Sequence, residues 1–238
     1  MTDVLGTLGV IGGMGPAATV DFLRRVIDAT PAQRDQDHLH IILDNDPSVP
    51  DRTAAIEGKG PDPSPQLAAI ASRLELAGAD TLVMPCNSAH HFADAITRAV
   101  SIPLLDWPAI VAKQAVAQGA RSAGILATTG TVTAGVYKRA LEECDCATVE
   151  PLVRDQDEVM SVITEIKEGE YGEANALDRI RLVAGTLVEQ GADVLVLACT
   201  ELSALTATRS LATSSAVPLL DASDVVARHV VSLAYPSG

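Results

Sequence analysis

GADTLVMPCN at residues 78–87 returns as GADVLVLACT at residues 191–200. Both copies read alike: a Gly able to stop a helix, an apolar run short enough for a buried strand, then a cysteine and small polar residues. Cys86 and Cys199 lie 113 positions apart. IPLLDWPAIVAKQAV (102–116) pairs with VPLLDASDVVARHVV (217–231) at an offset of 115. LGVIGGMG (8–15) pairs more loosely with SAGILATTG (122–130), Gly9 falling over Gly124, again 115 apart. Three matches in one order at nearly one offset predict a duplication into two α/β halves, too long a period for a solenoid.

The rest of the chain fits that reading. Residues 7–11, 39–44, 81–85, 102–106, 122–128, 193–198 and 217–221 are short Val/Ile/Leu-rich runs, with a further candidate at 147–151. Between them, 16–29, 64–78, 109–119, 135–144 and a long stretch from 155 to 190 carry apolar residues at helical spacing. Apolar strands alternating with helices predict parallel sheets covered on both faces. The segment 44–66 is rich in Pro and Gly, has no clear period, and reads as a long functional loop.

Composition narrows the function. The 238 residues are 47% hydrophobic but only 3% aromatic, so Ala, Val, Leu and Ile must fill the core. A net charge of −14 opposes nucleic acid and anionic membranes as partners. No apolar run is long enough to span a bilayer. The N-terminal MTDVLGTLGVIGG lacks a basic leader and a small-residue cleavage site, so a cytoplasmic location is expected. Four cysteines in a chain of this length do not form a disulfide framework.

The two cysteines fall where parallel α/β sheets bind ligands, just past the carboxyl ends of strands. Asn87-Ser88 and Thr200-Glu201 follow them and suit a helix N-terminus, which would hold an anion and lower a thiol pKa. One such cysteine is equally well a small core hydrophobe. Two at equivalent positions of a duplication call for a joint role. Sulfurs flanking one ligand could take a proton from one face of a carbon and return it on the other, which inverts a stereocentre without a cofactor.

GVIGGMGPAAT (9–19), DRTAAI (51–56), PCNSAH (85–90) and LACTEL (197–202) together resemble the aspartate/glutamate racemase family, most closely its aspartate racemase group. The resemblance covers nearly the whole chain. It implies cofactor-independent amino-acid racemisation by Cys86 and Cys199, and a homodimer. It also implies a first domain of 1–106 plus 218–238, its last helix returning, a second domain of 107–217, and a site in the cleft between them. Arg52 and Lys167 would hold the substrate's side-chain carboxylate. Asn87, Ser88 and Thr200, with the loops at Met14 and Thr128, Thr129 and Thr131, would hold the α-carboxylate. Read from the residues alone, Glu201 could orient groups beside Cys199 or simply complement a helix N-terminus. Aspartate is the expected substrate, then glutamate. Ser88 stands where the family often has Thr.

Other features are weighed against this. His90, four residues after Cys86, suggests a Cys–His nucleophile, but a structural role is preferred, and His91 is incidental. Asp46 could face the substrate ammonium. Cys144 and Cys146 lack the partners of a zinc site, and no metal is expected. GMGPAA (13–18) fits a degenerate dinucleotide fingerprint with Asp44 as the ribose acid, so an NAD-dependent oxidoreductase is the rival class. It leaves the repeated cysteines unexplained. Within the resembled scaffold, maleate isomerase and hydantoin racemase chemistries are the alternatives.

Overall fold

The computed structural model describes residues 5–205 and 215–236. The chain divides into two compact units, one comprising 1–107 and 223–238, the other 108–222. Each holds one parallel sheet, which bears out the α/β reading.

The first unit runs β1 (Thr7–Gly12), α1 (Pro16–Ala29), β2 (His40–Asn45), α2 (Arg52–Ile56), α3 (Ser64–Leu76), β3 (Thr81–Val83) and α4 (Ala93–Thr97). Its strand order is β2-β1-β3, all parallel. The second unit contains α5 (Trp107–Ala117, its first residue counted with the first unit), β4 (Ser122–Ala127), α6 (Thr129–Ala134), α7 (Val136–Glu142) and β5 (Ala147–Val149). It continues through α8 (Val153–Glu168), α9 (Glu173–Glu189), β6 (Val194–Ala198), α10 (Thr200–Ser203) and β7 (Leu219–Asp221), in strand order β5-β4-β6-β7. The C-terminal helix, Ala222–Ala234, returns to the first unit. There Leu5 N–H donates to Leu233 O at 3.1 Å and the Tyr235 hydroxyl to Asp37 O at 2.6 Å.

The repeated GAD stretch is built identically in both units. Gly78 and Gly191 leave the preceding helix at φ 97° and 101°, a region that favours glycine. Ala79 N–H donates to Leu74 O and Ala192 N–H to Leu187 O, both at 3.0 Å. The Asp80 carboxylate accepts from Thr7 N–H at 2.7 Å, and the Asp193 carboxylate from Arg121 and Ser122 N–H at 3.0–3.1 Å, capping the start of β1 and β4. A Cβ at Gly9 would strike Leu82, Ala79 and Leu74; at Gly124 it would strike Leu195, Ala192 and Leu187. Each pair of contacts is the repeat seen in three dimensions, and it lets α3 and α9 lie close on the central strands.

Three elements differ from their sequence expectation. Residues 102–106 form only a bridge, Leu82 N–H to Pro103 O and Leu105 N–H to Leu82 O, both at 2.8 Å. Pro103 has no N–H to extend the ladder there. The stretch 155–190 is two helices, because Gly169 ends α8 at φ 73°. The loop 44–66 contains α2, whose N-terminus is capped by Asp51 accepting from Ala54 N–H at 2.7 Å.

Glycine substitutions read out this packing. A Cβ at Gly13, which sits at φ 97°, would lie 2.3 Å from Asp46 O. Gly13→Ala should cost upwards of ~3 kcal/mol in urea unfolding. Gly58→Ala, at φ 70° with nothing within 4 Å, should cost about 1 kcal/mol.

Candidate active site

Each unit gathers part of the expected residues at the carboxyl edge of its sheet. In the first, β3 ends and Cys86 follows, buried, with its sulfur 3.7 Å from the Ser88 hydroxyl. Residues 88–92 form a 3₁₀ turn rather than an α-helix, with Asn87 buried before it. The His90 ring is fully enclosed, Nε2 lying 3.2 Å from Met84 O, so the neutral ring carries its proton there. Burial drives the His90 pKa down to about 4, against smaller pulls from the Met84 carbonyl and the Asp106 carboxylate. His90 therefore ties down the chain entering Cys86. The Met14 side chain belongs to the same apolar cluster as Cys86, with Ile11, Val49 and Leu67.

Helix α2 packs on the 3₁₀ turn and brings Arg52 to this end of the unit. Arg52 is buried rather than solvated. Its Nη1 donates to Val49 O at 3.2 Å and Pro50 O at 2.9 Å, while Nε is buried with no hydrogen-bond partner among the described residues. No carboxylate among those residues pairs with it. The Asp46 carboxylate is instead committed to its own loop, accepting from Ser48 N–H at 3.0 Å, the Ser48 hydroxyl at 2.6 Å and Gln66 Nε2 at 2.9 Å.

In the second unit the register Ala127↔Ala198 sets Thr128 and Cys199 at neighbouring strand ends. Thr128 caps α6, its hydroxyl accepting from Thr131 N–H at 3.2 Å and lying 3.0 Å from the Thr131 hydroxyl. Thr129 N–H donates to Met160 Sδ at 3.1 Å. The buried Cys199 thiol donates to Glu201 Oε2 at 3.2 Å, and the Thr200 hydroxyl reaches the same oxygen at 3.3 Å. Lys167 Nζ lies 4.0 Å from Glu201 Oε1. Burial first, then the Glu201 carboxylate, push the Cys199 thiol well above its ordinary range, and Lys167 pulls the other way. The sequence expectation of a depressed thiol pKa fails at Cys199. The helix after it is a single turn, and the nearest charge is an anion.

Gln156, not singled out from sequence, donates from Nε2 to Ala127 O at 3.0 Å and Thr129 Oγ1 at 3.3 Å. Thr19 likewise holds the GMGP loop, accepting from Gly13 N–H at 3.1 Å and donating to Gly15 O at 2.9 Å. Both were findable as polar residues on the apolar faces of α8 and α1. Thr19 also takes up a loop N–H that a phosphate cradle would need. Asp44, the ribose acid of a dinucleotide reading, is paired with Arg73 at 2.7 Å. Among the described residues no cluster of three or more His, Cys, Asp or Glu could hold a metal ion, and no helix is long and apolar enough to cross a membrane.

Two parallel α/β units, each with a cysteine just past the end of a sheet strand, define the class of fold. Known proteins agree: the Asp/Glu/Hydantoin racemase profile matches residues 11–230, and the chain belongs to that family and is an isomerase. It is 30% identical, over 97% of its length and 100% of the relative, to the broad specificity amino-acid racemase RacX of Bacillus subtilis. The aspartate racemase of Picrophilus torridus superposes with a TM-score of 0.84 at 30% identity, covering 96% of this chain and 94% of that one. Glutamate racemase of Francisella tularensis, crystallised with D-glutamate, shares the fold, with a TM-score of 0.69 at 18% identity over 96% of this chain and 80% of that one.

His90 gives a pH signature. Its folded pKa of about 4 lies below the unfolded 6.5, so its contribution is whole above pH 6.5 and is lost as pH falls toward 4. Urea unfolding should show about 2 kcal/mol lost between pH 7.5 and 5, and His90→Gln should remove most of that slope.

Proposed function

We propose that the protein racemises acidic amino acids, aspartate first and glutamate second, using Cys86 and Cys199 on opposite faces of one α-carbon. In this reading each unit, the first close to 1–106 with 218–238 and the second to 107–217, contributes one of the two cysteines. One cysteine, as thiolate, takes the α-proton: the C–H bond breaks and an S–H bond forms. The other thiol protonates the resulting carbanion from the opposite face. The carbanion is an enolate-like carboxylate, so N–H and hydroxyl donors at Asn87, Ser88 and Thr200, and at the Met14 and Thr128–Thr131 loops, lower its energy. No cofactor is needed for this exchange.

The observation that carries the substrate assignment is Arg52. Burying a guanidinium without a countercharge costs several kcal/mol. An anionic substrate supplies that charge, and it does so in a chain of net charge −14, where a dianion otherwise meets repulsion. Lys167 is the second cation. Because Lys167 stands against Glu201 here, a second reading is a broader substrate range, in line with the name of the Bacillus subtilis relative.

Cys86→Ala and Cys199→Ala should each reduce racemisation of both enantiomers by ~1,000-fold or more in a chiral assay, with unchanged circular dichroism. Arg52→Ala should raise KM for aspartate about tenfold or more while leaving a neutral amino acid unaffected. An Arg52→Ala enzyme that handles aspartate like the parent would sink the acidic-substrate reading, and a panel of twenty L-amino acids would then define the range.

A further inference from the structure

The two sulfur sites are copies in sequence but not in chemistry. Two residues after Cys86 stands the Ser88 hydroxyl; two residues after Cys199 stands the Glu201 carboxylate. Among the described residues no carboxylate is hydrogen-bonded to the Cys86 sulfur, whereas the buried Cys199 thiol has the buried Glu201 carboxylate at 3.2 Å. We infer that Glu201 is a positioning residue that holds Cys199 in its protonated form, so that the resting enzyme is one-sided: Cys199 is the proton donor and Cys86 the base. The inference rests on the racemase reading for its consequence, but not for its geometry.

The charged groups acting on Cys199 are Glu201, from α10, and Lys167, from α8. An ionised Glu201 accepts the S–H hydrogen bond and repels a thiolate. Lys167, 4.0 Å from the far oxygen of Glu201, acts on the thiol in the opposite direction. Lys167 also offsets part of the repulsion once Cys199 has given up its proton. A turnover that starts with Cys86 as thiolate ends with Cys86 as thiol and Cys199 as thiolate. To reset, Cys86 releases a proton to water and Cys199 takes one back, a step that Glu201 favours. Starting from the other enantiomer needs the disfavoured arrangement, with Cys199 ionised beside a carboxylate.

The test titrates the thiol directly. Thiolate absorbance at 240 nm is followed against pH in the Cys86→Ser background, and the curve of the matching Cys86→Ser, Cys199→Ala protein is subtracted. Glu201→Gln should lower the Cys199 midpoint by at least one pH unit, and Glu201→Asp, which keeps the charge, should restore it at least partly. Lys167→Met, at a half-exposed side chain, should raise the midpoint, and supplies the answer if the Gln variant does not fold. Midpoints unmoved by the variants that fold would overturn the inference, because a packing role alone predicts no movement. α-Deuterium uptake then reads the asymmetry. Cys199→Ala should still exchange one enantiomer at pH 7. Cys86→Ala should exchange the other only at raised pH, or when Glu201→Gln is added. Equal one-sided exchange by both variants at pH 7 would also overturn it. A shifted midpoint without exchange in any variant, the parent included, would uphold Glu201's hold on the thiol and reject the racemase reading.

Discussion

Each unit depends on a helix lying against a strand with no side chain between them. Gly9 leaves room for Leu74, Ala79 and Leu82; Gly124 leaves room for Leu187, Ala192 and Leu195. The Gly–Ala–Asp turn makes that approach possible. Its Gly takes a positive φ, its Ala fits under the central strand, and its Asp caps that strand's first N–H groups. The edge where the strands stop is thereby set in both sheets, and each cysteine follows within a few residues. Apolar contact drives the packing, but the choice of Gly, Ala and Asp fixes its distance and register.

The duplication preserved that scaffold and let the surroundings of the sulfurs diverge. Cys86 sits over a 3₁₀ turn anchored by a neutral, buried His90, with a hydroxyl beside it. Cys199 opens a single helical turn and points its thiol at a carboxylate. A proton-transfer enzyme using two identical thiols would still need one to start as acid and one as base. A neighbouring fixed charge is the simplest way to separate them. The cations divide similarly: Arg52 is buried with backbone carbonyls for company, and Lys167 stands half-exposed against Glu201.

Much of this was legible in the sequence because it is local. The repeat, the strand runs, the positions of Cys86 and Cys199 and the likeness to amino-acid racemases all come from short patterns. The break at Gly169 within 155–190 was visible as a residue but not as an interruption, since the apolar spacing continues on both sides. Helix α2 escaped notice because five residues carry no period, only an Asp51 cap. The GMGP loop suggested a nucleotide cradle. In three dimensions Gly13 is required by its contact with the Asp46 backbone, and Thr19 occupies its N–H.

By itself the sequence determined the class of fold, its duplication and the placement of Cys86 and Cys199 just past strand ends, because periodicity and residue spacing act over a few positions at a time. Tertiary structure alone decided that Arg52 is buried, that Gln156 and His90 tie down the loops near the sulfurs, and that Lys167 meets Glu201 at the Cys199 thiol. Those facts depend on burial and on which charges face each other across elements. Both are set only when the helices close on the sheet, and they decide which groups hold protons.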